Sequence, residues 1–484
     1  MGLLISRVER CSDPVGVNLH RSEAVAGPSH TSHTHKRKRK SNSYSSEDEE
    51  ENREQRLSTI HAKKVKIRSK YAYQTLFLNG KDSDIEVRAL GKTWYLHKVF
   101  LFQSGYFANM LKGSWKESHK DIIELEIDDE NIDVRSLNFV LGSLYRDEDL
   151  LIKPFQVPGV LATACLLQVE NLIQQCKETM KESINVKTVC VYYAAAESYG
   201  LDAAKAECFQ WLLQNLMTHP SVELYKEIDT ELMHLLISSS NLLVMQKEVD
   251  IYTTLKGWMF LRLNPHWNGS MKQLLVNANS WFSKHMECIN NITFLEREEG
   301  ITFQPVFKKL RFQHIICDLA STTVLEQDRL IPSEWLSPVY KQQWLTLLKS
   351  LQHREIGPRV INEREIEGYS MRCGKRVIKD GKRSWKWSGC KFGFPLNVIF
   401  TSHYIIFKQN SKQCDDSACL HHIRNVVFRI KLVCFASKGK IAFSKTTGYK
   451  IIAFEDDEEK IVMKLDSTVL NFPLYIFCNF LFYH

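Results

Sequence analysis

Two sets of side chains in this 484-residue chain have the types that chemistry requires. Cys414-x4-Cys419-x-His421-His422 offers thiolates and imidazoles to a soft metal ion. Its spacing lacks the Cys-x2-Cys or His-x3-5-His grip by which two turns hold one tetrahedral ion, and the polar segment around it reads as a surface loop. His97 stands between a predicted strand and a predicted helix, where an imidazole could serve as a base. No carboxylate or nucleophile accompanies it in the pattern, so a half-buried structural role is expected. The chain contains no G-x-S-x-G, H-E-x-x-H, G-x-x-x-x-G-K-S/T or G-x-G-x-x-G. A non-catalytic protein without metal or cofactor is expected, and its function is to be sought on its surfaces.

The elements that must build those surfaces follow from periodicity. Ile85, Val87 and Ala89 alternate with charged residues, a turn is placed at Gly91-Lys92, and Trp94 and Leu96 resume the alternation, which predicts a hairpin with one buried face. Residues 98–111 carry helical spacing, and Ile123, Leu125 and Ile127 alternate with Glu as a further short strand. Helices are predicted at about 131–146, 158–181, 186–198, 201–217, 222–239 and 246–263, an α+β domain feeding an all-helical one. Residues 270–350 read as helical, with Trp281, Phe282, Trp335 and Trp344 as core anchors. From 370 onward the period shortens to two, in Asn397 to Lys408, Val426 to Cys434, Lys440 to Ser444, Lys450 to Phe454 and Ile461 to Leu465, which predicts a compact β domain of five or more strands. The longest apolar stretch, Leu470 to Tyr483, is shorter than the ~20 residues a spanning helix needs and contains a proline.

Charge is unevenly spread. Residues 1–70 hold 15 Lys/Arg against 9 Asp/Glu, leaving 49 against 47 for the remainder, so the body is near neutral and no basic DNA-binding domain is indicated. Tyr44 is the sole aromatic among those first 70 residues, too little apolar surface to offset ordering, and a disordered tail is expected. Thirteen scattered cysteines do not resemble a disulfide framework, and Arg7 interrupts the start before a signal-peptide apolar region forms, so a reduced, intracellular chain is expected.

Asp84-Ile85-Glu86-Val87, Leu96-His97-Lys98-Val99-Phe100-Leu101, Ser104-Gly105-Tyr106-Phe107 and Met110-Leu111, in this order and at these gaps, resemble a BTB domain over about residues 73–182. Residues 184–263, with Ala194 to Tyr199 and Leu242-Leu243-Val244-x3-Glu248-x3-Tyr252-x5-Trp258, resemble a BACK domain. More specifically, Ser83-Asp84-Ile85, Gly113 to Ser118, Ile122 to Ile127, Gly142 to Asp147, Ile331 to Leu336 and Thr446-Thr447-Gly448-Tyr449 are similar to the germ cell-less family across the folded part. The organisation expected is therefore a disordered charged tail (1–70), an α+β BTB domain (71–183), an all-helical BACK-like region (184–350) and a mostly β C-terminal domain (351–484).

That resemblance implies a dimeric, non-enzymatic substrate adaptor of a cullin-3 ubiquitin ligase, found at or near the nuclear envelope and linked to germ-cell development. It also implies particular residues. Trp115 and Glu117 stand where BTB adaptors carry their hydrophobic-x-Glu cullin contact, an aromatic hot spot beside a carboxylate acceptor. Tyr73, Leu76 and Phe100 fall where BTB homodimers share an apolar seam, although intramolecular core is an equal reading of each. By elimination the β domain becomes the reader of an unnamed protein substrate, with Trp385, Trp387 and Tyr404 conspicuous there and core aromatics expected for at least two of them. A BTB-type repressor or nuclear-envelope scaffold that recruits partners without ubiquitin transfer is the alternative.

In the tail, Lys36, Arg37, Lys38, Arg39 and Lys40, with Lys63, Lys64 and Lys66 behind them, read as a bipartite nuclear import signal. Gly2 fits an N-myristoylation pattern that the basic run would reinforce on anionic lipid, giving a weak membrane-surface contact. Ser45 and Ser46 precede five acids, the context an acidophilic kinase reads.

Overall fold

A computed structural model describes residues 70–112, 121–146, 150–286, 292–351, 357–387, 396–409, 424–436, 439–454, 458–466 and 470–482. The hairpin forms from β1 (Ile85–Ala89) and β2 (Lys92–Leu96), with Ile85 opposite Leu96 and Val87 opposite Trp94. Its turn lies one residue earlier than expected. Leu90 and Gly91 hold φ of +48° and +73°, the pair of positive angles that a right-twisted hairpin needs at a two-residue turn. β3 (Ile122–Glu124) joins β1 in parallel, so Val87 and Ile123 enter one core.

Around this sheet pack α1 (Lys98–Leu101), α2 (Gly105–Lys112), α3 (Val134–Ser143), α4 (Val157–Leu166) and α5 (Glu170–Ser183). Asp133 starts α3 by a capping box, its carboxylate accepting from the Ser136 amide at 2.7 Å while Ser136 Oγ accepts from the Asp133 amide at 3.0 Å. The single helix expected at 158–181 breaks between α4 and α5. Gln168 takes a φ of +54° there, and its carbonyl accepts from Gly105 N at 3.2 Å, so the break is the socket for α2.

The helical run continues through α6 (Val189–Ser198), α7 (Asp202–Asn215), α8 (Val222–Glu227), α9 (Thr230–Ser238) and α10 (Glu248–Leu263). The helix expected at 222–239 is two, because Asp229 terminates one and caps the next through the Leu232 amide at 2.7 Å. Beyond α10, Phe282 is buried and Trp281 and Trp335 pack against the same core. Trp344 is not a core anchor: it is 60% exposed, since the helix Ser333–Leu351 turns Leu336 and Thr346 inward and position 344 faces away from them.

The C-terminal strands make a two-sheet sandwich. One sheet runs β10 (Lys450–Phe454), β8 (Arg424–Phe435), β12 (Leu474–Leu481), β4 (Met371–Val377), with β9 (Ile441–Thr446) also on β8. The other runs β11 (Glu459–Lys464), β7 (Tyr404–Gln409), β6 (Leu396–Phe400), β5 (Arg383–Trp387). Asn397 to Lys408 is thus two strands, with Thr401-Ser402-His403 turning between β6 and β7. Leu396, Val398, Phe400 and Phe407 meet Ile430, Ile476 and Phe480 between the sheets. The apolar stretch after Leu470 holds β12, buried at every residue: Ile476, Cys478 and Phe480 face the sandwich core, while Tyr475 and Phe477 face Leu243. A central strand covered on both faces reads as a continuous apolar run. No helix among the described residues is long and apolar enough to cross a membrane.

Candidate partner-binding surfaces

The residues around His97 explain one another. Asp84 Oδ1 accepts from the Lys98 amide at 2.8 Å and so caps α1, which fixes where the helix begins. His97 is buried. Its Nε2 lies 2.9 Å from the Lys81 carbonyl, an acceptor only, so this nitrogen carries the proton. Tyr145 Oη accepts from the His97 amide at 2.9 Å and donates to Nδ1 at 3.1 Å, a set that leaves the imidazole no free nitrogen for acid–base work. His97 is a structural tie between the hairpin and the end of α3.

On this tie rests an aromatic stack. Phe100 lies parallel to Tyr145 at 4.2 Å, Phe77 packs on Tyr145 at 5.3 Å, Tyr73 stacks on Phe77 at 5.4 Å, and the Arg146 guanidinium sits 3.4 Å over the Tyr73 ring. Burial pushes the Tyr145 phenol well above its usual range. Tyr73 and Leu76, on the π-helical segment Ala72–Leu78, and Phe100 on α1 are all half-buried. The more open apolar side chains are their neighbours Tyr71, Leu78, Val99 and Phe102, with Val99 69% exposed. The stack passes over Gly142, where an added Cβ would stand 2.8 Å from Phe77 Cε1 and 3.0 Å from Tyr73 Cε2. Gly142→Ala is therefore expected to destabilise the protein by about 1–3 kcal/mol as an overpacked contact, read as a lower midpoint in urea.

A second surface is a cleft of about 320 Å³ where α6 meets α9, bordered by Asn131, Val191, Glu197, Asp229 and Leu235. Tyr199 Oη donates to Asp129 Oδ2 at 2.7 Å and accepts from Asn131 Nδ2 at 3.0 Å, holding the end of α6 to the loop before α3. Burial pushes the Cys190 thiol up to about 12, so this cysteine is not a nucleophile. Val191 and Leu235 are exposed at this cleft, whose carboxylates are engaged within the chain, Glu197 by Lys205 at 2.7 Å and Asp229 by the Leu232 amide at 2.7 Å.

The third feature is a buried clamp between the helices and the sandwich. Arg372 on β4 grips Glu248 at the start of α10 with two parallel bonds, Nε to Oε1 at 2.9 Å and Nη2 to Oε2 at 3.0 Å. Its Nη1 donates to the carbonyls of Ile237 and Ser239, and Arg311 approaches Glu248 at 4.0 Å while bonding Ser370 and Glu367. Desolvation works to raise the Glu248 carboxyl, but the charges and hydrogen bonds of Arg372 and then Arg311 outweigh it and hold it below the usual carboxylate range. Burial, then the like charge of Arg372, push Arg311 down to about 9, leaving it charged at neutral pH. Close by, Arg429 and Asn479 bond the Ser240 carbonyl, and Gly374 approaches Val244 O so closely that a Cβ would lie 2.2 Å from it. Glu248 carried the only hint in the sequence, a carboxylate on the otherwise apolar face of Ile251, Tyr252, Leu255 and Trp258.

A BTB/POZ domain model matches residues 73–184. The chain is 61% identical to Germ cell-less protein-like 2 of Mus musculus over the whole of this chain and 98% of that one. It is 57% identical to Germ cell-less protein-like 1 of Homo sapiens, over 88% and 83% of the two chains. Protein germ cell-less of Drosophila melanogaster is 33% identical, over 88% and 79%. The chain belongs to the germ cell-less family. In this germ cell-less protein Tyr73 and Phe100 are joined through Phe77 and Tyr145 in the aromatic stack, Leu76 packs half-buried against the same core, Trp387 is core, Trp385 is half-buried and Tyr404 is exposed. Trp115 and Glu117 follow α2 and lie outside the described residues, as do Gly2, Lys36 to Lys40, Ser45, Ser46, Lys63, Lys64, Lys66 and the Cys414 to His422 loop. Among the described residues no cluster of His, Cys, Asp and Glu could hold a metal.

Proposed function

We propose that this protein is a non-catalytic substrate adaptor of a cullin-3 ubiquitin ligase, dimeric through residues 71–183, with 184–350 as a BACK-like connector and 351–484 as the substrate reader. The observation that carries the reading is a BTB domain followed by helices that a buried ion cluster ties to a separate β sandwich, in a chain of the germ cell-less family. An adaptor has to hold its substrate at a set place relative to the ligase, and a rigid junction supplies that. The open side chains Tyr71, Leu78, Val99 and Phe102 support an apolar seam shared by two copies, extending from Tyr73, Leu76 and Phe100. A role in germ-cell development and a nuclear, nuclear-envelope address follow the family.

Calorimetry with the full-length chain and the cullin-3 N-terminal domain tests the adaptor role. Trp115→Ala with Glu117→Ala is expected to weaken binding by at least ~2 kcal/mol, the size of a hot spot. Equal affinities would remove the assigned contact, and no cullin binding by the wild type would favour a BTB scaffold. For localisation, Gln at Lys36 to Lys40 is expected to leave the protein cytoplasmic, whereas Gly2→Ala stays nuclear and loses only enrichment at the rim. Imaging that finds the Gln variant nuclear, with Lys63, Lys64 and Lys66 also neutralised, would refute the import signal.

A further inference from the structure

β4 and β5 stand at one end of each sheet, so the turn that joins them, residues 378–382, closes one side of the sandwich. From Lys375 to Lys386, both included, the chain holds six cations and one acid, in a folded body that is otherwise near neutral. All six cations are exposed. Asp380 is occupied locally, its Oδ1 accepting from Gly381 N at 2.7 Å and Ser402 Oγ at 2.9 Å. Among the described residues Lys375, Lys379, Lys382 and Arg383 meet no carboxylate. β6 is the one described strand that pairs with β5, which leaves the outer edge of β5 open among the described residues.

We propose that this outer edge, with the basic turn before it, takes an extended acidic segment of a protein partner as an added strand. The inference rests on the sandwich being the substrate reader and gives its substrate a chemistry. An open edge offers alternating N–H and C=O groups that only another polypeptide in extended form satisfies in register. Lysines along an edge deter a second copy of the same strand, because like charges would face one another, and the same charges attract an acidic strand. Exposed Ile378 in the turn adds one apolar anchor. Nucleic acid fits less well. Binding a single strand calls for several exposed rings on which successive bases stack, whereas Trp387 is buried, Trp385 is half-buried, the two pack edge to face at 5.6 Å, and of the three conspicuous aromatics Tyr404 alone is exposed.

Fluorescence anisotropy on the purified full-length chain tests this with three labelled probes. One is a peptide of twelve residues alternating Glu and Thr, one the same peptide N-methylated at every second residue, and one a thymidine oligonucleotide of twelve nucleotides. The acidic peptide is expected to bind, and to lose at least about tenfold in affinity on N-methylation, which leaves charge intact but blocks strand pairing. Lys379→Glu with Lys382→Glu and Arg383→Glu is expected to lose at least about as much. Failure of the wild type to bind the peptide, equal binding of the N-methylated form, or tighter binding of the oligonucleotide would each overturn the proposal. If the triple variant is misfolded by circular dichroism, the N-methyl comparison on the wild type decides alone. Cullin affinity measured on the same preparation separates the two readings: normal cullin binding without peptide binding removes the edge and keeps the adaptor, and the reverse result does the opposite.

Discussion

Arg372→Met is expected to destabilise the protein by about 3–5 kcal/mol, because it takes the bidentate partner from the fully buried Glu248 carboxylate and removes donors from the Ile237 and Ser239 carbonyls. Adding Glu248→Met should recover part of that loss, since it removes the stranded carboxylate, while Arg311, 4.0 Å from Glu248, keeps its bonds to Ser370 and Glu367. Urea unfolding of the three variants checks both statements, and an Arg372→Met midpoint equal to wild type would refute them. The clamp also fixes a sign in acid. The folded-state pKa of Glu248 lies below its unfolded value of about 4.3, so the stability it contributes is complete above that value and is lost as pH falls through the folded pKa. The wild type should therefore lose stability more steeply below about pH 4 than the double Met variant, which keeps only the contributions of other lowered carboxylates such as Asp129 and Asp133.

Val99→Asp is expected to convert a micromolar dimer into a monomer that keeps wild-type stability. Val99 makes little contact within its own chain, so its carboxylate is solvated in the monomer and left without a partner only when a second copy covers it. Phe100→Asp should behave differently: Phe100 stacks on Tyr145 at 4.2 Å, so its replacement should lower the unfolding midpoint as well as weaken association. Sedimentation equilibrium with a parallel thermal melt distinguishes the two. A wild-type monomer at micromolar concentration, or an unaltered dimer in Val99→Asp, would remove α1 from the interface.

Much of this architecture was legible because it is local. The alternation of Ile85, Val87 and Ala89 dictates a half-buried strand, and Asp84 and His97 were singled out in the pattern although their purpose, a helix cap and a tie to Tyr145, required partners up to 48 residues away. Breaks inside helices were hidden. Gln168 is an ordinary helix residue by composition and what interrupts the chain there is the docking of α2, whereas Asp229 is a preferred N-cap that the apolar periodicity of 222–239 masked. Trp344 misled for the converse reason, since a large aromatic suggests a core and this one lies on the outer face of its helix. The clamp was least legible of all, because Glu248 and Arg372 are 124 residues apart and nothing local marks an arginine in an alternating strand as buried.

β12 has a consequence for the order in which the molecule is made. It is the last of the described strands in chain order, yet it lies between β8 and β4, hydrogen-bonded to both. While the ribosome is still short of residue 474, β4 and β8 have no common neighbour, and Ile430 and Leu432 lack the Ile476, Cys478 and Phe480 side chains of their shared core. The helical region can collapse as it emerges, but the sandwich can close only once β12 has been translated. A chain ending before β12 would leave β4 and β8 as two exposed edges beside an uncovered core, so truncated products are expected to aggregate or be degraded rather than accumulate.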